Sequence, residues 1–211
     1  MNFMTNPRLN ERADYNQIVK LIEPDSRVLD VGCGSGELLK QLIKEKNVQG
    51  RGVEIDENGI ISCIDKGISV IQADVDEGLA DFLDLTFDYV ILSKTLQVVH
   101  QPDYVIREML RVGKKGIVSL PNFGFWPLRF QMITKGKMPK GKHVPFEWYN
   151  TPNIHIGTLS DFRDLCQKEK ISIVKEISFR SSKLLSGSWQ GWFSNILADE
   201  SIFVIAKQAD A

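Results

Sequence analysis

The stretch that decides the fold is Val28-Leu29-Asp30-Val31-Gly32-Cys33-Gly34-Ser35-Gly36-Glu37-Leu38-Leu39. Its apolar front, Val28 to Val31, reads as a short buried strand. The glycines then let the backbone turn sharply with no side chain in the way. The run Glu37-Leu38-Leu39-Lys40-Gln41-Leu42-Ile43 has helical spacing, so the turn feeds a helix. Strand, glycine turn and helix N-terminus together make a crevice floor where a nucleotide-like ligand touches bare backbone. A plain glycine-rich turn uses the same residues, so the reading needs support from the rest of the chain.

Glycine spacing narrows the ligand. A dinucleotide fingerprint, G-x-G-x-x-G, would put its third glycine at position 37, which is Glu37; the third glycine here is Gly36. A P-loop is excluded, because no Gly-Lys-Ser/Thr follows. With Asp30 two residues before the first glycine, Asp30-Val31-Gly32-Cys33-Gly34-Ser35-Gly36 resembles motif I of the class I S-adenosylmethionine-dependent methyltransferases.

The following segments extend that pattern. A second strand-like run, Gly52-Val53-Glu54-Ile55-Asp56, ends in an acid about twenty residues after the glycine turn, where a doubly wound sheet places a carboxylate against ribose hydroxyls. Glu54 is the better candidate, because Asp56 suits the N-cap of the next helix; the alternative for Glu54 is a solvated strand end. A third run, Ile68 to Val75, again closes on an acid. In the methyltransferase pattern such an aspartate accepts from the adenine amino group and the next residue offers a backbone N–H and an apolar contact. Asp74 and Val75 fit, with Asp76 as the alternative. Phe87-Asp88-Tyr89-Val90-Ile91-Leu92-Ser93 is near-continuously apolar, as expected of a strand buried on both faces. The stretch Lys94 to Val99 after it would lie beside the methionine half of the cofactor. A fifth run, Gly116 to Leu120, is stopped by Pro121.

Composition agrees. The chain has 211 residues, 43% of them hydrophobic, enough for one domain with a substantial core. It has no apolar stretch long enough to cross a bilayer and no basic-then-apolar leader, so neither a membrane nor export is expected. Cys33, Cys63 and Cys166 show neither C-x-x-C pairing nor metal spacing, which points to a reducing cytoplasm and no metal. A net charge of −1 gives no reason to expect nucleic acid.

Strands and helices alternate through Leu120, which implies right-handed crossovers and a parallel sheet. An N-terminal helix carries Tyr15, Ile18, Leu21 and Ile22 on one face and ends before Pro24. Another spans Asp103 to Val112 with Gly113 at its end, and Thr158-Leu159-Ser160-Asp161 outlines a capping box opening a helix to Lys168. Two closing strands, Ile171 to Phe179 and Ser201 to Lys207, are expected to form the antiparallel end of the sheet. The expected architecture is α/β and Rossmann-like: one domain over 1–211, a mostly parallel seven-stranded sheet with an antiparallel terminal strand, and an insertion after the fifth strand over 122–157.

That insertion breaks the rhythm. It mixes Phe123, Phe125, Trp126, Phe130, Phe146, Trp148 and Tyr149 with Arg129, several lysines and His143. A segment this long is functional or mobile. A lid, a protein docking surface, a nucleic-acid contact and a simply folded insertion are all open readings, the nucleic-acid one disfavoured by the charge. A second apolar segment, Gly187 to Leu197, reads as packing on the domain or as an exposed patch.

A narrower resemblance runs through short words spread along the chain. Besides the glycine stretch these are Asp74-Val75-Asp76-Glu77-Gly78-Leu79, Phe87 to Ser93, Arg107-Glu108-Met109-Leu110-Arg111-Val112-Gly113, Pro121-Asn122-Phe123-Gly124 and Trp148-Tyr149-Asn150-Thr151-Pro152-Asn153-Ile154-His155. Together, over residues 8 to 180, they resemble the methionine biosynthesis protein MetW family. The resemblance implies a cytoplasmic protein with the class I methyltransferase fold that acts at the homoserine O-acyltransferase step as a companion of that enzyme. It implies S-adenosylmethionine, or S-adenosylhomocysteine, with cofactor-pocket positions carried onto Gly32, Gly34, Gly36, Glu54 and Asp74; Asp30, Cys33, Ile55, Val75 and Ser93, beside them in the sequence runs above, are expected to complete the pocket. It carries no catalytic base and no methyl acceptor. For acceptor chemistry, His143, His155, Tyr149 and Asn122 are the candidates on the insertion, each with a structural alternative.

Overall fold

The apolar runs become the strands of one sheet. The computed structural model describes residues 13–141, 144–185 and 192–208. In chain order the elements are α1 (Ala13–Leu21), β1 (Arg27–Val31), α2 (Glu37–Lys46), β2 (Gln49–Glu54), α3 (Glu57–Asp65), β3 (Ser69–Gln72), β4 (Phe87–Ser93), α4 (Pro102–Val112), β5 (Gly113–Pro121), α5 (Trp126–Lys135), α6 (Leu159–Lys168), β6 (Ile171–Arg180), β7 (Lys183–Leu184), α7 (Trp192–Leu197) and β8 (Glu200–Lys207), with a single 3-10 turn at Val75–Glu77.

The spatial order is β3-β2-β1-β4-β5-β8-β6-β7. Strands β1 to β5 are parallel; β8 runs antiparallel to both β5 and β6, so β6 shares the direction of the parallel set. The antiparallel strands are therefore β8, set between β5 and β6, and the two-residue β7 at the edge, both from the C-terminal part of the chain as expected. The sheet has eight strands where seven are expected, because the two-residue β7 adds to β6 at the edge. The third strand is also shorter than its apolar run, ending at Gln72.

Alternate residues of each strand serve opposite faces. Leu29, Val31, Val90, Leu92 and Val118 pack with Ile106 and Met109 of α4 and Phe162 of α6. Val28, Tyr89, Ile91 and Ile117 pack with Ile18 of α1 and Leu38 and Leu42 of α2. This double burial is why β1 and β4 read as unbroken apolar runs. The strand order reverses between β1 and β4, so the crevice outside their carboxyl ends is the expected ligand position in such a sheet.

Local expectations are largely met. Asp56 caps α3 by accepting from the Gly59 amide, and Thr158 and Asp161 form both halves of a capping box on α6. Helix α4 starts on Pro102 and passes straight into β5, with Gly113 in an extended conformation. The irregular interval 122–157 contains α5, closed by Gly136 in the left-handed region. Of the second apolar segment, residues 186–191 lie outside the described residues; within α7, Ser194 and Asn195 are buried and Phe193 is half exposed.

Candidate cofactor-binding site

Gly32, Gly34 and Gly36 all sit at left-handed φ, +71°, +55° and +76°. L-residues pay about 1–2 kcal/mol to adopt that region, so the turn needs glycine on backbone grounds alone. Two of the three also lack room. A Cβ at Gly32 would lie 2.7 Å from the Thr95 side chain, and one at Gly36 would lie 2.7 Å from Ile68 and 2.8 Å from the Cys63 sulfur. Gly34 differs: its missing Cβ points at nothing within 4 Å. The turn is thus packed from below and bare at Gly34.

Glu54 closes β2 directly beneath that bare position and is buried. Its Oε2 accepts from the Gly34 amide at 2.6 Å, and its Oε1 accepts from the Ile55 and Asp56 amides, each at 2.9 Å. A carboxylate offers about four acceptor positions, so roughly one remains. Glu54 is therefore first a brace that fixes the glycine turn to the second strand. To accept two ribose hydroxyls it would have to release the Gly34 amide. Ile55 beside it is mostly exposed. Lys66, at the end of α3, adds a second brace: its Nζ donates to the Ser35 carbonyl at 2.5 Å and pairs with Glu37 at 2.9 Å.

Cys33 and Cys63 lie under the turn, sulfurs 3.8 Å apart, with the Cys63 thiol donating to the Gly34 carbonyl at 3.4 Å. Burial, then the negative charge of Asp30, pushes the Cys33 thiol well above its ordinary range, and burial pushes Cys63 up as well. Both stay protonated, so they are packing residues rather than nucleophiles. Asp30 itself is buried within β1.

The third-strand acids divide. Asp76 uses both oxygens on the residues that lead into α4: Oδ1 accepts from the His100 and Gln101 amides at 2.8 and 3.2 Å, and Oδ2 meets His100 Nδ1 at 2.9 Å. Burial works to raise the Asp76 carboxyl, but the His100 ring and these amides outweigh it and hold it below the usual range. Asp74 engages Oδ1 with the Asp76 amide and leads into the turn that places Val75 half-buried beside it.

At the end of β4, Ser93 Oγ donates to Asp14 Oδ2 and meets Ser119 Oγ, both at 3.3 Å. The next residue, Lys94, takes a left-handed φ of +59° and reaches Glu200 at 3.1 Å and Asp14 at 3.9 Å. Thr95 folds back to donate to the Val31 carbonyl. Asp14 and Glu200 have no sequence signature. They come from opposite ends of the chain, and only the strand order brings them to Lys94 at this end of the sheet.

Beyond β4 and β5 a cavity of ≈ 130 Å³ is lined by Gln97, Leu120, Phe123, His155 and Phe162 among others. Its apolar wall holds one polar anomaly, since Gln97 Oε1 is buried with no hydrogen-bond partner among the described residues. The Ile154 and His155 amides both donate to the Gln97 carbonyl, at 2.9 and 3.0 Å, tying the returning limb of the insertion to the β4–α4 loop. Of the acceptor candidates among the described residues, only His155 lines this cavity. Tyr149 points into solvent. Asn122 is fully buried in structural bonds, donating to the Asn195 and Ala198 carbonyls and accepting from the Gly124 and Leu159 amides. His143 lies outside the described residues. No group of acids, histidines and cysteines suited to a metal occurs among the described residues.

Solved structures share this architecture. A SAM-dependent methyltransferase from Archaeoglobus fulgidus superposes with a TM-score of 0.68 over 92% of each chain at 18% identity. One from Thermotoga maritima gives 0.65 over 93% of this chain and 90% of its own, at 20% identity. The fold is that of the class I S-adenosylmethionine-dependent methyltransferases. Within that class the family model described as "Methionine biosynthesis protein MetW" matches residues 12–205, and the chain belongs to this family. A curated relative, the bifunctional methionine biosynthesis protein MetXA/MetW of Rhodopirellula baltica, is 38% identical over 78% of this chain. The match accounts for only 28% of that relative's length.

Proposed function

We propose that the chain binds S-adenosylmethionine, or S-adenosylhomocysteine, across the carboxyl ends of β1, β2 and β3, and acts in methionine biosynthesis as an accessory or regulatory partner of a homoserine O-acyltransferase. One observation carries the binding reading: the glycine turn is crowded at Gly32 and Gly36 and bare at Gly34. A cradle with one open backbone position suits close ligand approach. The donors and acceptors around it fit the group. Gly34 supplies bare backbone, Gly32 and Gly36 bend the chain to present it, Glu54 has an acceptor position toward a ribose, Asp74 suits an adenine amino group, Ile55 and Val75 offer apolar contact to the ring, and Ser93 ends the strand beside the methionine portion. Cys33 contributes from beneath the turn, and Asp30 shapes its floor. The group, when bound, supplies an activated methyl; the chain's residues hold and orient it and exclude water.

The partner reading rests on the fused relative, whose name joins MetXA to MetW in one polypeptide. Because the cofactor is a downstream product of methionine, its binding here would report methionine status by favouring one state of the complex. Among the described residues no helix is long and apolar enough to cross a membrane, and we place the protein in the cytoplasm with its partner. Titration calorimetry with S-adenosylmethionine tests the first half. The rate of the purified acyltransferase with and without this chain tests the second, and an enzyme that neither binds the chain nor changes rate ends the accessory reading.

The cavity at Gln97 and His155 favours one second reading, a working methyltransferase on a small acceptor. A buried amide oxygen in an apolar wall suits an acceptor carrying an N–H or O–H donor. Transfer of labelled methyl from the cofactor to a small molecule in extract would establish it.

A further inference from the structure

Half of the large apolar side chains that stand exposed among the described residues fall within 122–157. Trp126, Phe130 and Ile133 of α5 are 43%, 59% and 81% exposed, and their i, i+4, i+7 spacing makes one continuous stripe along the helix. The Trp148 and Tyr149 rings, packed edge to face on the neighbouring turn, are also bare, Trp148 at 73%. Helix α4, by contrast, buries five apolar side chains, whereas α5 buries only Leu128. A fully buried side chain of this size is worth about 1.5–3 kcal/mol, so α5 is held on its own domain by little more than one such contact.

The helix is nonetheless fixed in place. Buried Asn122 anchors the outgoing limb to the end of α7 and the residue after it, and the paired amides on the Gln97 carbonyl anchor the returning limb. Gln131 clasps the backbone of Lys140, and Lys140 in turn pairs with Glu147. The insertion is a ledge tied at both ends that presents α5 outward.

Charge says what the ledge fits. The segment holds Arg129, Lys135, Lys137, Lys140 and Lys142 against one acid, Glu147, a formal +4 in a chain whose net charge is −1. An apolar helix stripe flanked by lysines matches an apolar groove rimmed by carboxylates, the helix-in-groove mode of recognition. We infer that this ledge, α5 with the Trp148–Tyr149 turn, is the docking surface for the acyltransferase. The inference rests on the partner reading above and adds the surface and its chemistry. The aromatic and arginine content is that of interface centres, and a run of exposed large apolar side chains along one helix marks an interaction site.

The test uses the full chain and the purified homoserine O-acyltransferase of the same source in an interferometry titration. The double variant Phe130→Glu/Ile133→Glu is compared with Ile61→Glu/Ile64→Glu, which alters two exposed apolar residues on α3. The expected result is about a 100-fold loss of affinity for the α5 variant, from two central side chains, and none for the α3 variant. Thermal unfolding and S-adenosylmethionine binding should be unchanged in both. Lys135→Glu/Lys137→Glu provides an independent variant should the first fail to fold; it should slow association and reduce its salt dependence. Wild-type binding that persists in folded α5 and lysine variants overturns the surface and leaves the partner reading standing. Absence of wild-type binding overturns both. Self-association of the wild type that the α5 variant abolishes assigns the ledge to a second copy. Sedimentation with phosphatidylglycerol vesicles, abolished in the same way, assigns it to a lipid surface. Either result refutes the acyltransferase as occupant.

Discussion

Replacing Glu54 by Gln changes one oxygen into an amino group and leaves the volume alone, so its effect isolates the brace under the glycine turn. In the wild type Oε2 takes the Gly34 amide and Oε1 takes the Ile55 and Asp56 amides. Glutamine has one oxygen; if that keeps the two strand-end amides, its NH2 faces the Gly34 N–H, donor against donor. Hydrogen bonds to a charged group are worth about 1.5–3 kcal/mol. The two surviving bonds fall to neutral strength, about half of their former value. Taken at the low end of these ranges, the total is about 3 kcal/mol. For a chain of this size each kcal/mol moves Tm by about 2–4 °C, so Glu54→Gln should melt about 6–12 °C below the wild type. If the carboxylate also meets a ribose hydroxyl, affinity for S-adenosylmethionine falls by a further about 10–100-fold, measured by calorimetry at a temperature where the variant is folded. A Tm within about 1 °C of the wild type refutes the brace. A lowered Tm with unchanged affinity refutes the ribose contact and keeps the brace.

Gly34→Val should retain the fold at a cost of about 1–2 kcal/mol from its left-handed φ, because its Cβ meets nothing, yet lose most cofactor affinity in the same calorimetric assay. Asn122→Ala should be far more damaging: it leaves the Asn195 and Ala198 carbonyls and the Gly124 amide unpaired in a buried place, about 1–3 kcal/mol each, read as a lowered urea midpoint. Asp76 is held below its ordinary value of 3.8. A depressed carboxylate stabilises the fold above its unfolded pKa and loses that contribution as pH falls through the folded one. Asp76→Asn should therefore flatten the loss of stability below about pH 4 and leave the slope near neutrality unchanged. Cys33 and Cys63, both raised, should resist iodoacetamide at pH 7.5–8, a range below even the free-thiol pKa of about 8.5, and label only on denaturation.

What the sequence makes legible follows from how each feature is encoded. β1, β4 and the glycine turn are local: burial on both faces demands an unbroken apolar run, and left-handed φ demands glycine, so Val28 to Gly36 carries its own reading. Caps are local too, and Asp56, Thr158 and Asp161 behave as their positions foretell. The rest is relational. That Glu54 holds the Gly34 amide, and that Asp76 serves α4 while Asp74 does not, depends on register between separate strands. Asp14, Lys94 and Glu200 meet only because β4 and β8 lie on either side of β5, a neighbourhood no periodicity announces. β7 is too short to show a period, and α5 hides because its apolar stripe is exposed, which in sequence looks like irregular aromatic content.

The position of β8 sets an order on assembly. It lies between β5 and β6, yet it leaves the ribosome after both. Until Glu200–Lys207 is available, the nascent chain carries two open strand borders facing a gap, each a template for another polypeptide. Nothing upstream seals this edge early, since the backbone groups of Gly116 to Pro121 that face away from β4 find their partners only in that segment. Translation that stalls before residue 200 should therefore yield an aggregating product rather than a smaller folded one.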